Sequence, residues 1–403
     1  MTALSEHVFV SLTEDTIQSP ATSPTASAEK GSERLLALDG LRGVAALCVA
    51  VYHYQFFFVK GFRFFDWGWL NVDLFFLISG IVMSHVYEKR IREGSTTFTE
   101  FLSHRLARLW PMHVFAMLAM IALGIFHFFI ALWIIQPSNI MDWNAPLYTF
   151  LLNLFFLQHI GLYTNSLQGH TWDGNAWSLS PEIVSNIVWF YLLSRKKLSS
   201  KLLVTVVLVC SVVQYNLTDS IGGLILNSNL IRCAITYAMG CLLYRHIIAN
   251  PALPAPSLPW ANVVGLGATS LIVLIIVDLA CWNSPIFNHC DWILALFLFP
   301  TLTCGALQHG TVLNRILSSK TLVFLGSISY SVYLMHVIVG LLFIDIFGYF
   351  LKMEIEAPYA GGVYLVLTIF ISTLTCLLVE VPARNALRNR LGPFLQKIVF
   401  EPR

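Results

Sequence analysis

An arginine and a histidine interrupt the otherwise apolar segment LDGLRGVAALCVAVYHY, residues 38–54. Arg42 and His53 are eleven positions apart, about three helical turns, so in a helix they lie on nearly the same face and roughly 16 Å apart along the axis. Asp39 lies on the same side and can pair with Arg42. Charged groups at membrane depth usually face a cavity or a partner. The pattern fits a catalytic imidazole beside a polar channel, and it equally fits a buried Arg–Asp pair beside a hydrogen-bonded histidine.

Two arginines and a glutamate follow in later segments. Arg105 and Arg108 lie on one helical face of FLSHRLARLWPMHV. Neighbouring guanidinium groups suit phosphate binding, but they also suit simple anchoring at the cytoplasmic boundary of a membrane. Glu182 follows Trp177 and Ser178 in WSLSPEIVSN, where it can take part in chemistry or only cap the start of a helix.

Hydroxyl and imidazole groups interrupt another apolar segment. LGSISYSVYLMH carries Tyr330, Tyr333 and His336 in the middle of a predicted helix, and such a set is hard to explain as lipid-facing surface. Asp73 lies in NVDLFFLISG at the start of a further span. Interfacial capping and small-residue packing explain that segment better when it is taken alone.

Composition indicates the class of protein that positions these groups. Of 403 residues, 57% are hydrophobic and 11% are charged, with a mean hydropathy of +0.71, whereas an ordinary soluble domain has roughly 25% charged residues. We therefore predict an all-α polytopic integral membrane protein. A net charge of +2 is too small to suggest nucleic-acid binding. The eight cysteines include no C-x-x-C pair, which argues against a metal site.

Three regions follow from the distribution of residue types. Residues 1–34 are rich in Ser, Thr, Pro and Ala and are predicted to form a disordered cytoplasmic tail. Residues 35–384 form the predicted membrane domain, and 385–403 form a short basic cytoplasmic segment. Apolar runs near the ~20 residues that cross a bilayer predict ten spans, at 36–58, 69–87, 109–135, 176–194, 202–218, 229–248, 262–281, 290–307, 322–345 and 359–382.

The placement of Lys and Arg predicts the orientation. With ten spans and both termini cytoplasmic, the basic clusters at 88–108 and 194–201 fall on the cytoplasmic side of the cell membrane, as short loops prefer. A further apolar run at 147–163 would reverse part of this pattern if it crossed the membrane. We therefore expect that run to be re-entrant or interfacial on the outer face. Asp73 and Glu182 are then predicted near the outer side.

Six motifs occur in the order DGLRGVAALCVAVYHY, VDLFFLISG, FLSHRLARLWP, WSLSPE, SISYSVYLMH and VEVPAR. The set resembles the acyltransferase 3 family of integral membrane acyltransferases, which acylate hydroxyls of O-antigens, exopolysaccharides, peptidoglycan, Nod factors and some macrolides. The resemblance covers about residues 35–384. It matches Arg42 and His53 to the family's Arg-ten-residues-His motif, Glu182 to its WSL-x-x-E motif and His336 to its SY-x-x-YL-x-H motif. A proline and an isoleucine flank the glutamate where family members commonly show WSLSVEEQF.

The resemblance implies that acyl-CoA is the donor substrate, with acetyl the commonest acyl group, and that no cofactor is bound. The donor phosphates are expected to bind at the cytoplasmic mouth to Arg105 and Arg108, with Arg42 as a third candidate. His53 is the expected general base, because an imidazole can take a proton from an acceptor hydroxyl near neutral pH. Direct transfer and an acyl-enzyme route both stay open.

The other candidate residues are assigned to orientation and binding. Glu182 is expected to orient His53 or to bind the sugar, and Ser178, Tyr330 or His336 is expected to stabilise the oxyanion. The catalytic candidates are therefore His53, Arg42, Glu182 and His336, and the substrate-binding candidates are Arg105, Arg108, Asp39, Asp73, Trp177, Ser178, Tyr330 and Tyr333.

The expected acceptor is a carbohydrate hydroxyl, as in an exopolysaccharide, an O-antigen or a lipid-linked glycan. An alternative acceptor is a small secondary metabolite such as a macrolide. A secondary transporter is a rival class, since it also places ionisable groups in its spans, but the sequence shows no inverted repeat. Hydrolysis or transfer of labelled acetyl-CoA separates these classes, because a transporter does neither.

Overall fold

The computed structural model describes residues 26–58, 66–134, 147–158, 172, 175–216, 228–249, 291–307, 311–350 and 357–400. Helices joined by turns make up these ranges, and no strand occurs in them, so the all-α prediction is confirmed for the part of the chain described. The α-helices are α1 (Ala26–Phe58), α2 (Asn71–Arg92), α3 (Phe98–Ile134), α4 (Leu147–Leu154), α5 (Leu179–Ser194), α6 (Ser200–Asn216), α7 (Ser228–Leu243), α8 (Asp291–Leu307), α9 (Val312–Leu317), α10 (Lys320–Ser327), α11 (Ser329–Phe343), α12 (Ala357–Thr375) and α13 (Val381–Phe400).

Five described segments are long and apolar enough to cross a membrane, at Leu36–Tyr54, Gly68–Arg92, Phe98–Phe126, Ser329–Phe347 and Tyr359–Arg388. The last of them passes from α12 into α13 through a π-helical turn. Each segment overlaps a predicted span, which agrees with an integral membrane protein. The third segment begins well before the predicted start at position 109, because the polar motif FLSHRLARLWP forms the first turns of α3 and is continuous with the apolar run.

The structure does not establish the ten-span arrangement. The predicted spans at 176–194 and 229–248 correspond to α5 and α7, of 16 residues each, which is shorter than the ~20 residues that cross hydrocarbon. Two other predicted spans correspond to the shorter apolar helices Ser200–Gln214 and Phe297–Leu307. The predicted span at 262–281 lies outside the described residues, so the ten-span arrangement stays a prediction.

Two helices extend across the predicted region boundaries. Helix α1 begins at Ala26, inside the region 1–34 assigned to a disordered tail, since the residues before the apolar run include Ala, Glu and Lys, which favour helix. Helix α13 continues through the predicted basic segment as far as Phe400. Helix α4 covers the start of the run 147–163, but the end of that run lies outside the described residues. Its re-entrant placement stays a prediction.

Helix α1 is at the centre of the described bundle and packs against α2, α10 and α11. Gly43 permits the close approach to α10, since a Cβ at this position would lie 2.6 Å from the backbone nitrogen of Gly326. Helices α2 and α7 meet in the same way at Gly80 and Gly240, where each glycine faces backbone atoms of the other helix. These contacts bring the polar groups of α1, α2 and α11 into the interior.

Candidate active site

A cavity of about 480 Å³ opens between α1, α2, α3, α5, α11 and α13. Eight of the predicted site residues line it: Asp39, Arg42, Arg105, Arg108, Ser178, Glu182, Tyr330 and Tyr333. Residues far apart in the sequence therefore share one wall, as a substrate site requires. Within the described ranges, no three His, Cys, Asp or Glu side chains are grouped so that they could hold a metal ion.

Three of the arginines that line this cavity come from three different helices and influence one another through their charges. Arg42 of α1 pairs with Asp39 across 3.6 Å, so the pairing expected from their spacing is confirmed. The positive charges of Arg42 and Arg384 act on Arg108. Glu380 also acts on Arg108, but its carboxylate accepts a hydrogen bond of 2.6 Å from the Ser331 hydroxyl.

Arg108 is half-buried, and none of the described carboxylates forms an ion pair with it. Like charges brought together in a partly buried site repel each other unless an anion compensates them. The cluster of Arg42, Arg108 and Arg384, called the guanidinium cluster below, is therefore suited to binding an anionic group.

Arg105 has a different environment from Arg108. Its guanidinium donates to the Glu182 carboxylate across 2.6 Å, and the Ser79 hydroxyl donates to the same carboxylate across 2.8 Å. Ser79 lies near the middle of α2, so Glu182 is well inside the bundle and pairs with a residue that we predicted on the cytoplasmic side. The carboxylate therefore contacts Arg105 and Ser79, and this geometry does not support the expectation that Glu182 orients His53. The side of the membrane on which Glu182 lies stays a prediction.

Glu182 is inside the bundle because α5 begins inside the bundle. A 3₁₀ turn at Ala176–Ser178 leads into α5, and Ala176, Ser178 and Asn175 before it are buried. The Gln158 side chain donates to the Ala176 carbonyl across 2.9 Å, which satisfies a backbone acceptor in the interior. Glu182, in the first turn of α5, therefore lies inside the protein and not at a helix end in the membrane interface.

Hydrogen bonds of Tyr330 and Tyr333 join α11 to neighbouring segments at the cavity wall. The hydroxyls of Ser178 and Tyr333 are 2.7 Å apart, and Tyr333 donates to the Asn175 carbonyl across 2.7 Å. The Asn175 amide in turn donates to the Tyr333 carbonyl. The Tyr330 hydroxyl donates to the Leu109 carbonyl across 2.6 Å, so in this structure its proton joins α11 to α3.

His53 and His336 form a pair behind Tyr333. The His53 Nδ1 lies 3.2 Å from the His336 Nε2, and the ring centroids of Tyr333 and His336 are 6.1 Å apart. Neither histidine is among the described residues that line the cavity. The structure thus brings two predicted catalytic residues together, next to the Tyr333 ring and outside the described lining of the cavity.

Two predicted binding residues lie away from the cavity wall. Asp73, 2% exposed, forms a buried ion pair with Arg232 of α7, and the Arg232 guanidinium stacks 4.3 Å over the Trp69 ring. Trp177 packs its ring against Phe76, with centroids 6.5 Å apart. For Asp73, these contacts indicate a role in joining α2 to α7.

Several residues of the site were missed in the sequence. Arg384 and Arg388 line the cavity, although VPARNALRNR reads as an ordinary basic helix end. Arg232 had a usable signal, since a lone arginine in the apolar run SNLIRCAIT needs a buried partner. Asn175 had no usable signal in the sequence, because only the folded chain brings it next to Tyr333.

Comparison with known proteins identifies the family of this chain. Residues 35–379 match the family model of the acyltransferase 3 domain, described as an acyltransferase domain. Protein 2 in picA locus of Rhizobium radiobacter is 36% identical over 165 residues, covering 39% of this chain and 81% of that protein. The putative membrane-bound transacylase BcsY of Komagataeibacter xylinus is 25% identical, covering 85% of this chain and 81% of its own.

A third relative is longer than this chain. The peptidoglycan O-acetyltransferase OatA of Listeria monocytogenes is 23% identical over 90% of this chain, which spans 58% of that relative's length. No solved structure matches the chain. Because the family model covers most of the sequence, the chain belongs to the acyltransferase 3 family of membrane acyltransferases.

Proposed function

We propose that this protein transfers an acyl group, acetyl in the first instance, from acyl-CoA to a hydroxyl of a carbohydrate such as an exopolysaccharide, an O-antigen or a lipid-linked glycan. Family membership supports the acyl transfer. The similarity to a peptidoglycan O-acetyltransferase supports an acetyl group and a glycan acceptor, and the similarity to a putative membrane-bound transacylase supports acyl transfer at a membrane. We propose further that the protein lies in the cell membrane with the guanidinium cluster towards the cytoplasm, where acyl-CoA is made.

The observation that carries the proposal is the excess of positive charge in the cavity. Among the described lining residues only two are acids, Asp39 and Glu182, and both are paired with arginines. Cationic side chains from α1, α2, α3 and α13 surround them: Arg42, Lys89, Arg90, Arg105, Arg108, Arg384 and Arg388. CoA carries several phosphate groups, and guanidinium groups bind phosphate oxygens through paired, charge-assisted hydrogen bonds.

Arg108 is the residue on which the donor proposal depends most. The positive charges of Arg42 and Arg384 act on it, whereas Arg105 already donates to Glu182. A phosphate that binds in the cluster would relieve the repulsion among these groups. We therefore assign phosphate binding to the guanidinium cluster and not, as the sequence suggested, to Arg105 and Arg108 as an equal pair.

The proposed reaction joins the cavity to the histidine pair. With the phosphates at the cluster, the thioester lies towards Ser178 and Tyr333, and the Tyr333 ring neighbours His336 of the histidine pair. The acceptor oxygen attacks the thioester carbon, so a C–O bond forms and the C–S bond breaks. His53 takes the hydroxyl proton and returns a proton to the departing thiolate, which leaves as CoA thiol.

Donor kinetics with two donors test this proposal. In purified protein, Arg108→Ala should raise the KM for labelled acetyl-CoA by about tenfold or more, the scale of one charge-assisted hydrogen bond. The same variant should leave kcat/KM for acetylpantetheine unchanged, because that donor lacks the nucleotide phosphates. Arg195→Ala is the matched control, since Arg195 is exposed and stacks only on Tyr191 in the described part of the chain.

Two results would overturn the proposal. Absence of both transfer and hydrolysis of acetyl-CoA by the folded wild-type protein would exclude this donor. An Arg108→Ala variant that matches Arg195→Ala with both donors would exclude phosphate binding at the guanidinium cluster.

A further inference from the structure

His53 and His336 each contact a backbone carbonyl one turn earlier in their own helix. The His53 Nδ1 lies 3.0 Å from the Val49 carbonyl oxygen, and the His336 Nδ1 lies 3.1 Å from the Val332 carbonyl oxygen. A carbonyl oxygen only accepts hydrogen bonds, so each of these contacts places a hydrogen on Nδ1. The Asn175 amide nitrogen also lies 3.3 Å from the His336 Nδ1, but it already donates to the Tyr333 carbonyl, and the Val332 contact is the shorter of the two, so we assign the Nδ1 hydrogen of His336 to Val332. The two contacts thus assign the same tautomer to both neutral rings.

These tautomers determine which ring donates the hydrogen bond between His53 and His336. With hydrogen on its Nδ1, neutral His336 carries its lone pair on Nε2, and this atom lies 3.2 Å from the His53 Nδ1. His53 must be the donor and His336 the acceptor. The Nδ1 hydrogen of His53 is shared between the Val49 carbonyl and the His336 Nε2, and the lone pair of His53 is on Nε2.

Burial limits what His336 can do. Its side chain is 0% exposed, and its backbone carbonyl accepts a hydrogen bond of 3.1 Å from Tyr364. A positive charge at a fully buried site is costly. His336 therefore accepts the hydrogen bond from His53 without taking up the proton.

We propose that His336 is a positioning residue for His53, holding the tautomer and ring orientation in which the His53 Nε2 accepts the proton of the acceptor hydroxyl. This inference rests on the proposed acyl transfer. It replaces the expectation that His336 stabilises the oxyanion, because that role needs a hydrogen on Nε2. In the reaction the hydroxyl proton moves to the His53 Nε2 and later to the CoA thiolate, while His336 stays neutral throughout.

Two substitutions of similar size separate the roles of His336. In His336→Gln the side-chain oxygen can reach the position of Nε2, whereas in His336→Asn the shorter amide reaches only the position of Nδ1. We expect His336→Asn to lower kcat about a hundredfold, the scale of a 1 Å misplacement of a reacting group. The KM for acetyl-CoA should stay the same, and His336→Gln should retain kcat within a few-fold.

A double variant distinguishes positioning from direct catalysis. If His336 acts only through His53, adding His336→Asn to His53→Ala should not lower the residual rate further. If His336 stabilises the oxyanion by itself, the two losses should multiply, and the inference is overturned. An unchanged kcat in His336→Asn would overturn it as well.

His113→Asn is the matched control for folding. His113 is also 0% exposed, and its ring contacts the Asn153 carbonyl across 2.8 Å in a part of α3 outside the cavity wall described above. We expect this variant to lower thermal stability as His336→Asn does, with kcat unchanged. An inactive wild-type protein would contradict the proposed function, whereas an active wild type with a fully active His336→Asn variant would contradict only this inference.

Discussion

The Arg105 guanidinium and the Ser79 hydroxyl both donate to one oxygen of the Glu182 carboxylate, across 2.6 Å and 2.8 Å. This arrangement joins α3, α2 and α5 at the wall of the cavity. The Arg105 and Glu182 side chains are only 8% and 18% exposed. Removing one partner of such a pair leaves the other charge buried without compensation.

Glu182→Ala should therefore destabilise the protein by about 3–5 kcal/mol, measured as thermal unfolding of the purified protein in detergent. The double variant Arg105→Met with Glu182→Met should recover most of this loss, because two apolar groups of similar volume replace the pair. A Glu182→Ala variant that unfolds at the wild-type temperature but has lost turnover would instead show that Glu182 acts directly on a substrate.

The buried ion pair of Asp73 and Arg232, which joins α2 to α7, leads to a second prediction about stability. Asp73→Asn removes the negative charge beside a buried guanidinium, so it should destabilise the protein by roughly 3 kcal/mol or more. The KM for acetyl-CoA of the remaining folded protein should not change, since neither residue lines the described cavity. A raised KM at unchanged stability would restore the substrate-binding role that the sequence suggested for Asp73.

Tyr330→Phe tests whether the Tyr330 hydroxyl acts in catalysis. Its proton is donated to the Leu109 carbonyl across 2.6 Å, so the variant should lose about 1 kcal/mol of stability and less than about tenfold in kcat. An oxyanion donor would instead be worth about 10²–10³-fold. Tyr237→Phe is the control, because the buried Tyr237 hydroxyl donates to Asn186 outside the cavity wall and should show a similar loss of stability with normal kcat.

Sequence patterns predicted contacts within a helix better than contacts between helices. The spacing of Asp39 and Arg42 is enough to predict their pairing, because positions three apart are neighbours on any helix. Helical spacing also placed Arg105 and Arg108 on one face, and both line the cavity. It could not show that Arg105 pairs with Glu182, since that contact depends on how α3 and α5 pack.

The burial of Glu182 inside the bundle was also beyond the sequence. Charge rules place a helix start in the interface, and α5 was assigned in that way. Its actual start follows a buried 3₁₀ turn whose Ala176 carbonyl is satisfied by Gln158. A backbone carbonyl that is satisfied by a distant side chain has no periodic signal in the sequence, so the buried start of this helix could be learned only from the structure.

The alignment of His53 with His336 depends on the close contact between α1 and α10, and Gly43 tests this dependence. A Cβ at Gly43 would lie 2.6 Å from the Gly326 nitrogen and 2.8 Å from atoms of Leu325, distances that force the helices apart. We expect Gly43→Ala to cost about 1–3 kcal/mol of stability, the usual scale of overpacking. Because α1 carries His53, the shift should also lower kcat, by about a hundredfold for a displacement of 1 Å.

Gly362→Ala is the matched control, since a Cβ at that helical position would meet nothing within 4 Å in the described structure. Alanine favours helix over glycine by about 1 kcal/mol, so this variant should be as stable as the wild type or more stable, with unchanged kcat. Thermal unfolding and turnover measured on both variants decide the matter. If Gly43→Ala behaves like Gly362→Ala in both measurements, the close approach of α1 and α10 does not set the geometry of the histidine pair.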